Sequence, residues 1–312
     1  MIKNKLISIV LPCFNEEENI EPLYARIKHE LEGLAYEYEL IFIDNASTDN
    51  TVQKVKSLIQ CDQRVRLIVN SRNFGHIRSP FYGLLQAKGD ACILMASDFQ
   101  DPPELIKQLV CEWECGYKTI FAVKPSSKEG VLMHGIRRAY YKLLANLSEV
   151  PLISNATGFG LYDREVIEVL RQIDDPHPYF RGLLSEVGLK IKTVEFVQPR
   201  RKFGKTKNNF FTLFDIGMLG LIKHSKLPLR FVTIVGFLLS LVSFIAAGAY
   251  TIGKLIYWDS FALGVAPIVI GLFLFGGVQL LCLGLIGEYI AAIHTHTRKF
   301  PLVIERERFN FE

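Results

Sequence analysis

The sequence lacks the glycine-rich loops with which two large groups of nucleotide-dependent proteins bind phosphates. It contains neither GxGxxG nor GxxxxGK followed by Ser or Thr, which argues against a dinucleotide-dependent oxidoreductase and against a P-loop NTPase. Its six cysteines form no CxxC pair and no His/Cys spacing typical of a zinc site, so we expect reduced thiols in a cytoplasmic domain. The net charge of +4 is too small to indicate a nucleic-acid partner.

The N-terminus also lacks a secretory signal. Met1–Lys5 lead directly into an apolar, strand-like run at Leu6–Leu11. We therefore expect the N-terminal domain to begin and to remain in the cytoplasm.

Two long runs near the C-terminus lack charged residues altogether. They are Phe231–Gly253 and Ser260–Gly287, and each exceeds the ~20 apolar residues that a helix needs to cross a bilayer. Basic residues flank the pair on both outer sides, and they are Lys223, Lys226, Arg230, Arg298, Lys299, Arg306 and Arg308. The positive-inside rule then places both termini in the cytoplasm of a multi-pass protein of the inner (plasma) membrane.

These features divide the chain into four predicted parts. An N-terminal domain covers 1–207, and a juxtamembrane amphipathic helix covers 208–229. Two transmembrane helices occupy 230–293, and a cytoplasmic tail follows at 294–312.

The N-terminal domain contains short apolar runs separated by segments of helical length. The runs are Ile7–Leu11, Leu40–Ile43, Val65–Val69, Ala91–Met95 and Thr119–Val123. Near-continuous apolar strands that alternate with helices predict an α/β fold with a mainly parallel sheet covered on both faces. Such sheets bind ligands at the carboxyl ends of their strands.

Acidic and amide side chains follow three of these runs. The sequences are PCFNEE after the first run, DNASTD after the second and ASDFQDPP after the fourth. These groups should meet at one edge of the sheet. A carboxylate-rich edge without a glycine phosphate loop suits a bound cation that in turn holds phosphates.

These segments, taken in order, resemble the family 2 inverting glycosyltransferases of the GT-A fold. The nearest branch is that of polyprenyl-phosphate glycosyltransferases, which includes bactoprenol glucosyltransferases and dolichol-phosphate mannose synthases. The resemblance covers essentially the whole chain: PCFNEEENI, DNASTDNT, SRNFG, GDACILMASDFQDPPELI, NATGFGLYDREV, RKFGKTK and the terminal hairpin ending in LIGEYI.

The resemblance implies a nucleotide-sugar pocket at the first two loops. Pro12, Asn15 and Glu16 would line the nucleoside pocket, while Asp44 would contact the nucleobase with Ser47 beside it. Turn formation or helix capping is the alternative role for Asn15, Glu16 and Asp44.

At the fourth run the chain departs from the family pattern Asp-x-Asp-x-Gln-Asp, because Ala96 replaces the first aspartate. The remaining Asp98, Gln100 and Asp101 are the candidate catalytic residues. Asp98 is the candidate ligand of a Mg²⁺ or Mn²⁺ ion, since magnesium often takes one or two protein carboxylates together with phosphates. Asp101 precedes two prolines and equally fits a helix cap.

A second departure lies at Gly158-Phe159-Gly160, where relatives often carry an aspartate and an arginine. The acid sometimes assigned as the base is therefore missing. A phosphate monoester acceptor accommodates the loss, because its second pKa of ~6 leaves it mostly a dianion that needs no deprotonation. It would attack the anomeric carbon with inversion.

Basic residues are candidates for gripping the donor and lipid phosphates. Arg138 lies in an amphipathic segment, and Arg201, Lys205 and Lys207 belong to a dense cluster before the juxtamembrane helix. A merely solvated cluster is the alternative.

The resulting prediction is transfer of a sugar to polyprenyl (undecaprenyl) phosphate at the cytoplasmic membrane face. The nucleotide-sugar donor is expected to be UDP-linked, with glucose favoured by family frequency. Relatives in this branch are often tetramers, so a homo-oligomer is expected. The alternatives are a degenerate, non-catalytic binding or scaffold subunit and a glycosyltransferase with another lipid acceptor.

Overall fold

The computed structural model divides the chain into two compact units, Met1–Gly220 with Arg298–Glu312 and Leu221–Thr297. The residues that it describes are 5–124, 156–175, 178, 180–199, 232–239, 241, 242, 245, 252, 255, 256, 265–297 and 300–311.

The first part of the chain alternates strictly between strand and helix, as the sequence predicts. The elements are β1 (Leu6–Cys13), α1 (Ile20–Glu32), β2 (Glu37–Asp44), α2 (Thr51–Cys61), β3 (Val65–Asn70), α3 (Gly75–Gln86) and β4 (Ala91–Leu94).

The remaining elements are less regular in order. They are a 3-10 turn (Pro103–Leu105), α4 (Ile106–Glu114), β5 (Thr119–Val123), β6 (Ala156–Asp163), α5 (Arg164–Arg171), α6 (Phe180–Val187), β7 (Ile191–Glu195), α7 (Val265–Thr297) and β8 (Glu305–Phe309).

The strands form one eight-stranded sheet in the order β7-β5-β6-β4-β1-β2-β3-β8. Strand β1 lies between β4 and β2 and is parallel to both, whereas β6 is antiparallel to its two neighbours and β8 is antiparallel to β3. The register pairs Cys13 with Asp44, so β1 and β2 end side by side. The predicted α/β class with a mainly parallel sheet is confirmed.

Buried side chains cover both faces of this sheet. Along β1, Ile9 and Leu11 belong to one apolar cluster and Val10 to the other, as the alternation of a strand requires. The first cluster includes Leu23 of α1, and the second includes Phe81 of α3. Because both faces are buried, the central strands need the nearly continuous apolar runs seen in the sequence.

The C-terminal residues return to the sheet as β8 and close the edge of β3. Ser71 N–H donates to Ile304 O at 2.9 Å, and Asn310 Nδ2 donates to Val65 O at 2.9 Å. On the neighbouring helix, Arg78 donates to Pro301 O at 2.6 Å. The segment predicted only as a tail therefore contributes an edge strand.

The second unit is described in part. Residues 232–239 and α7 are helical, and large apolar side chains such as Phe237, Leu280 and Ile290 are exposed. Among the described residues, no helix has the combination of length and apolarity that a membrane crossing requires. The two predicted transmembrane helices at 230–293 are therefore not confirmed, and the predicted amphipathic helix at 208–229 lies outside the described residues.

Candidate active site

Three strained loops meet at the carboxyl edge of the sheet. They follow β1, β2 and β4, which are neighbours in the order β4-β1-β2. Each loop holds one residue other than glycine with a left-handed φ, namely Asn15 at 56°, Ala46 at 62° and Phe99 at 62°. Such backbone conformations cost energy and concentrate where the surrounding structure holds a functional loop in place. Three of the four such residues in the described part of the chain lie at this edge, the fourth being Asn310 after β8, and we therefore take this edge as the candidate active site.

The first two loops are joined by the side chains of Asn15 and Ser47. The backbone N–H of Asn15 donates to Ser47 Oγ at 2.9 Å, and Asn15 Oδ1 accepts from the N–H of Thr48 at 2.8 Å. Ser47 in turn donates to Asp44, through its N–H to Oδ2 at 3.0 Å and through its hydroxyl to Oδ1. The structure thus brings together three residues predicted to bind the nucleotide.

Asp44 is fully buried at the end of β2. Burial raises its pKa, and the hydrogen bonds from Ser47 and from the backbone of Ala46 oppose that rise. An ionised carboxylate has about four lone-pair sites, so these partners leave acceptor capacity.

Glu16 and Pro12 stand beside this cluster in different roles. Pro12 lies within β1, opposite Ile43. Glu16 is 8% exposed, and its Oε2 accepts from Asn19 Nδ2 at 2.5 Å immediately before α1. This contact gives Glu16 a local structural role, and its part in a nucleoside pocket stays a prediction.

The loop after β4 holds Asp98, Gln100 and Asp101 in a tight turn. Gln100 N–H donates to Asp98 Oδ1 at 3.1 Å, and Ala96 N–H donates to Asp101 Oδ2 at 2.8 Å. The Asp101 carboxylate therefore bonds to the turn itself, and the helical turn that follows has no side-chain cap. The alternative reading of Asp101 as a helix cap is wrong.

The pKa of Asp101 is strongly perturbed by its surroundings. Asp101 is 6% exposed, and burial raises its pKa to about 7, with a further rise from the charge of Asp98. The backbone bond from Ala96 and the positive charge of Lys124 act in the opposite direction. Because Asp101 is buried and already bonded to the turn, Asp98 is the more exposed of the two carboxylates.

Asp98 remains as the carboxylate suited to a cation. It is only half-buried. In the described part of the chain, no group of three or more His, Cys, Asp or Glu side chains could hold a metal ion. Magnesium and manganese accept a single protein carboxylate when phosphates and water complete the octahedron. The residues present thus fit a divalent cation that arrives with the donor's phosphates.

The two glycines that replace the family's acid and arginine are required by this backbone. Gly158 has a φ of 92°, a conformation that L side chains rarely adopt. A Cβ at Gly160 would overlap Ile120 O on the neighbouring strand β5. The second departure from the family pattern is therefore tied to the path of β6 and is not a simple loss of two side chains.

The sequence-based prediction missed Lys124 as a positively charged residue of this edge. The rule that ligands bind at the carboxyl ends of the strands would have found it. Lys124 directly follows β5, whose carboxyl end lies at the same edge because β5 and β4 are both antiparallel to β6. Its charge lowers the pKa of Asp101. The predicted phosphate-binding residues, Arg138, Arg201, Lys205 and Lys207, lie outside the described residues.

Comparison with known proteins identifies the family. Residues 8–171 match the family model described as Glycosyl transferase family 2. A protein of Escherichia coli K12, named prophage bactoprenol glucosyl transferase homolog, is 33% identical over 299 residues, which cover 96% of this chain and 97% of that protein. The bactoprenol glucosyl transferase of Shigella phage SfX is 33% identical over 97% of this chain and 99% of that protein.

Among solved structures, glucosyl-3-phosphoglycerate synthase from Mycobacterium tuberculosis, crystallised with Mn²⁺, UDP and phosphoglyceric acid, matches with a TM-score of 0.49 and 19% identity. The match covers 70% of this chain and 76% of that chain. The sequence matches confirm the predicted resemblance, and the chain is a glycosyltransferase that belongs to glycosyl transferase family 2.

Proposed function

We propose that the enzyme transfers a sugar from a nucleotide-sugar to a polyprenyl phosphate, such as undecaprenyl phosphate, with inversion of the anomeric centre. The observation that carries the proposal is the near full-length similarity to proteins named bactoprenol glucosyl transferase. Those names favour glucose as the sugar, and we propose a UDP-linked donor.

The donor side of the proposal uses the joined loops after β1 and β2. Asp44 offers buried acceptor atoms to a nucleobase, and Asn15 and Ser47 hold the loop that carries it. Asp98 would hold Mg²⁺ or Mn²⁺ against the diphosphate, where the ion would stabilise the charge of the departing nucleotide. Gln100 donates its backbone N–H to Asp98 and so sets the direction of that carboxylate.

The acceptor side needs no base from the protein. A lipid phosphate monoester has a second pKa of ~6 and is mostly a dianion at cytoplasmic pH. It can attack the anomeric carbon without losing a proton, which is consistent with glycines at positions 158 and 160. We propose that Arg138, Arg201, Lys205 and Lys207 provide the positive charge that holds the phosphates. Positioning and charge stabilisation then account for catalysis.

The connectivity of the chain supports a membrane attachment through the second unit. Residues 221–297 are preceded by the first unit and followed by β8, which pairs with β3 in the same sheet. If this segment crosses a bilayer, it must cross an even number of times to bring β8 back. Exposed apolar side chains such as Phe237 and Leu280 support its burial in lipid. We propose the cytoplasmic face of the inner membrane as the site of transfer, and a homo-oligomer as the assembly of the enzyme.

The test is a turnover assay on the purified full chain in detergent. Undecaprenyl phosphate and, in parallel reactions, diacylglycerol are incubated with a panel of UDP- and GDP-sugars, with and without magnesium or manganese, and the lipid product is identified by mass spectrometry. We expect a glycosylated undecaprenyl phosphate that requires the metal ion. Transfer to diacylglycerol but not to undecaprenyl phosphate would refute the acceptor. No transfer from any donor would favour the alternative of a non-catalytic binding subunit, which Ala96, Gly158 and Gly160 motivate.

A further inference from the structure

Asn45 is the centre of an amide network beside the candidate donor loop. It follows β2 directly and is 7% exposed. Its Oδ1 accepts from the N–H of Phe74 at 2.8 Å and from Asn70 Nδ2 at 3.1 Å. Its Nδ2 donates to Asn73 Oδ1 at 2.9 Å and to Gly75 O at 3.2 Å. These four bonds use both side-chain N–H groups and both lone pairs of the amide.

The orientation of these amides is set by the backbone. A backbone N–H can only donate, so the bond from Phe74 identifies the Asn45 atom that faces it as oxygen. The N–H of Gly75 donates to Asn73 Oδ1 at 2.8 Å and fixes that amide in the same way. The Asn45 Nδ2 group must then face Asn73 Oδ1, as observed.

Asn45 connects three loops at the edge of the sheet. Its own N–H donates to Cys13 O at 2.9 Å, at the end of β1. Its backbone belongs to the loop that carries Asp44 and Ser47, whereas its side chain reaches residues 70–75, which lead into α3. A single buried side chain therefore holds the start of α3 against the candidate donor loop.

We propose that Asn45 is a positioning residue for the donor and acts through the turn 71–75 and the loop of Asp44. This inference rests on the proposed function, because it takes that loop as the nucleotide pocket. Asn45 holds the turn 71–75 and the loop of Asp44 at a fixed separation, and it does not itself touch the donor. Its loss should weaken binding of the donor in the ground state and in the transition state alike, which raises the donor KM and changes kcat little.

The test compares N45A and N73A with the wild type, each as the full chain in detergent. With UDP-glucose and undecaprenyl phosphate, we expect N45A to raise the donor KM at least about tenfold, as expected for the loss of a buried hydrogen-bond network. We expect about a threefold rise for N73A, which removes one partner. The KM for the lipid should stay within twofold, roughly the scatter expected for an uncoupled site.

Asn73 is exposed, so N73A keeps the test decisive if N45A fails to fold. The double variant N45A/N73A should raise the donor KM no further than N45A, because both substitutions break the same connection. A matched control is S8A, which removes a buried hydroxyl that accepts from Gly89 N–H at 2.8 Å at the opposite end of the strands. It should lower thermal stability and leave the donor KM unchanged.

UDP affinity, measured by calorimetry without lipid, separates this inference from the proposed function. A wild type that binds UDP but does not modify undecaprenyl phosphate refutes the proposed acceptor, and the affinity ratio between wild type and N73A still decides the role of Asn45. Donor KM and UDP affinity that stay within twofold of wild type in N73A and in any folded N45A would overturn the inference. An equal rise in the lipid KM would overturn it as well.

Discussion

The backbone N–H of Ala96 donates to Asp101 Oδ2 at 2.8 Å and closes the loop after β4 on itself. The bond spans Asp98 and the strained Phe99, whose φ is 62°. It commits one of the two aspartates of the loop to holding the turn. The other, Asp98, accepts from the N–H of Gln100 in the same turn, and it is the carboxylate that we propose for a cation. Ala96, which replaces the family's first aspartate, thus still stabilises the loop through its backbone N–H.

Replacing Asp101 with asparagine should change how stability depends on pH. The folded state raises the pKa of Asp101 to about 7, so between pH 4 and 7 the folded chain binds more protons than the unfolded one. The stabilisation that proton binding at Asp101 gives the folded state is therefore complete at low pH, and it is lost as the pH rises through 7. D101N keeps an oxygen that accepts the hydrogen bond from Ala96, but it has no titrating group at this position. It should therefore not show the pH-dependent loss of stability, which amounts to about 4 kcal/mol at most in the wild type.

Thermal unfolding of the full chain at pH 4 to 8 measures this effect. D101N should gain stability relative to wild type as pH rises, and E21Q, at an exposed acid, should follow wild type. Parallel pH profiles for D101N and wild type would show that Asp101 is not the titrating group.

Replacing Asp98 with asparagine should remove most of the activity. The carboxamide keeps the size of the side chain but loses the charge that would hold the metal ion, so we expect kcat/KM to fall at least about 100-fold. The remaining activity should need more Mn²⁺ for half-maximal rate. The control is E104Q. Glu104 is an exposed acid in the following turn, and it pairs with Arg26 of α1. An unchanged Mn²⁺ requirement in D98N would count against Asp98 as the ligand.

Gly160 should tolerate no side chain. The added Cβ of G160A would overlap Ile120 O, which is backbone and cannot rotate away. We expect a loss of more than about 4 kcal/mol in the free energy of unfolding, in the range of severe core substitutions. G116A is the control, because Gly116 has a φ of 89° with open space around the Cβ position. It should cost about 1–2 kcal/mol of backbone strain. Similar losses for both variants would contradict the steric explanation.

Deleting residues 300–312 should destabilise the first unit. The deletion removes β8, uncovers the edge of β3 and breaks the bond from Arg78 to Pro301. An uncovered edge strand is a template for association, so we expect a lower Tm and concentration-dependent aggregation, measured by light scattering. The matched variant N310A removes the bonds to Gln63 O and Val65 O, and it also places alanine at a left-handed φ of 61° while leaving β8 in place. N310A should lower the free energy of unfolding by about 1–3 kcal/mol. If the deletion variant has the same Tm as the full-length chain, β8 is dispensable for stability.

The sequence predicted the elements whose signals are local. Each of the strands β1 to β5 is a short apolar run buried on both faces, so hydrophobicity alone located it. The convergence of Asn15, Asp44 and Ser47 followed from one rule of parallel sheets, that the carboxyl ends meet at one edge. In contrast, β6 contains two glycines, and β8 has the sequence ERERF. Neither carries an apolar strand signal.

By itself, the sequence determined that this is an α/β glycosyltransferase with an acidic edge, because alternating apolar runs and ordered motifs are properties of neighbouring residues. Tertiary structure decided which contacts the polar residues of this edge make. Asp101 turns to Ala96, and Asn45 reaches across to the turn before α3. Such pairings depend on hydrogen bonds between loops that only the packed sheet brings together, and β8 depends on a partner strand more than 200 residues away.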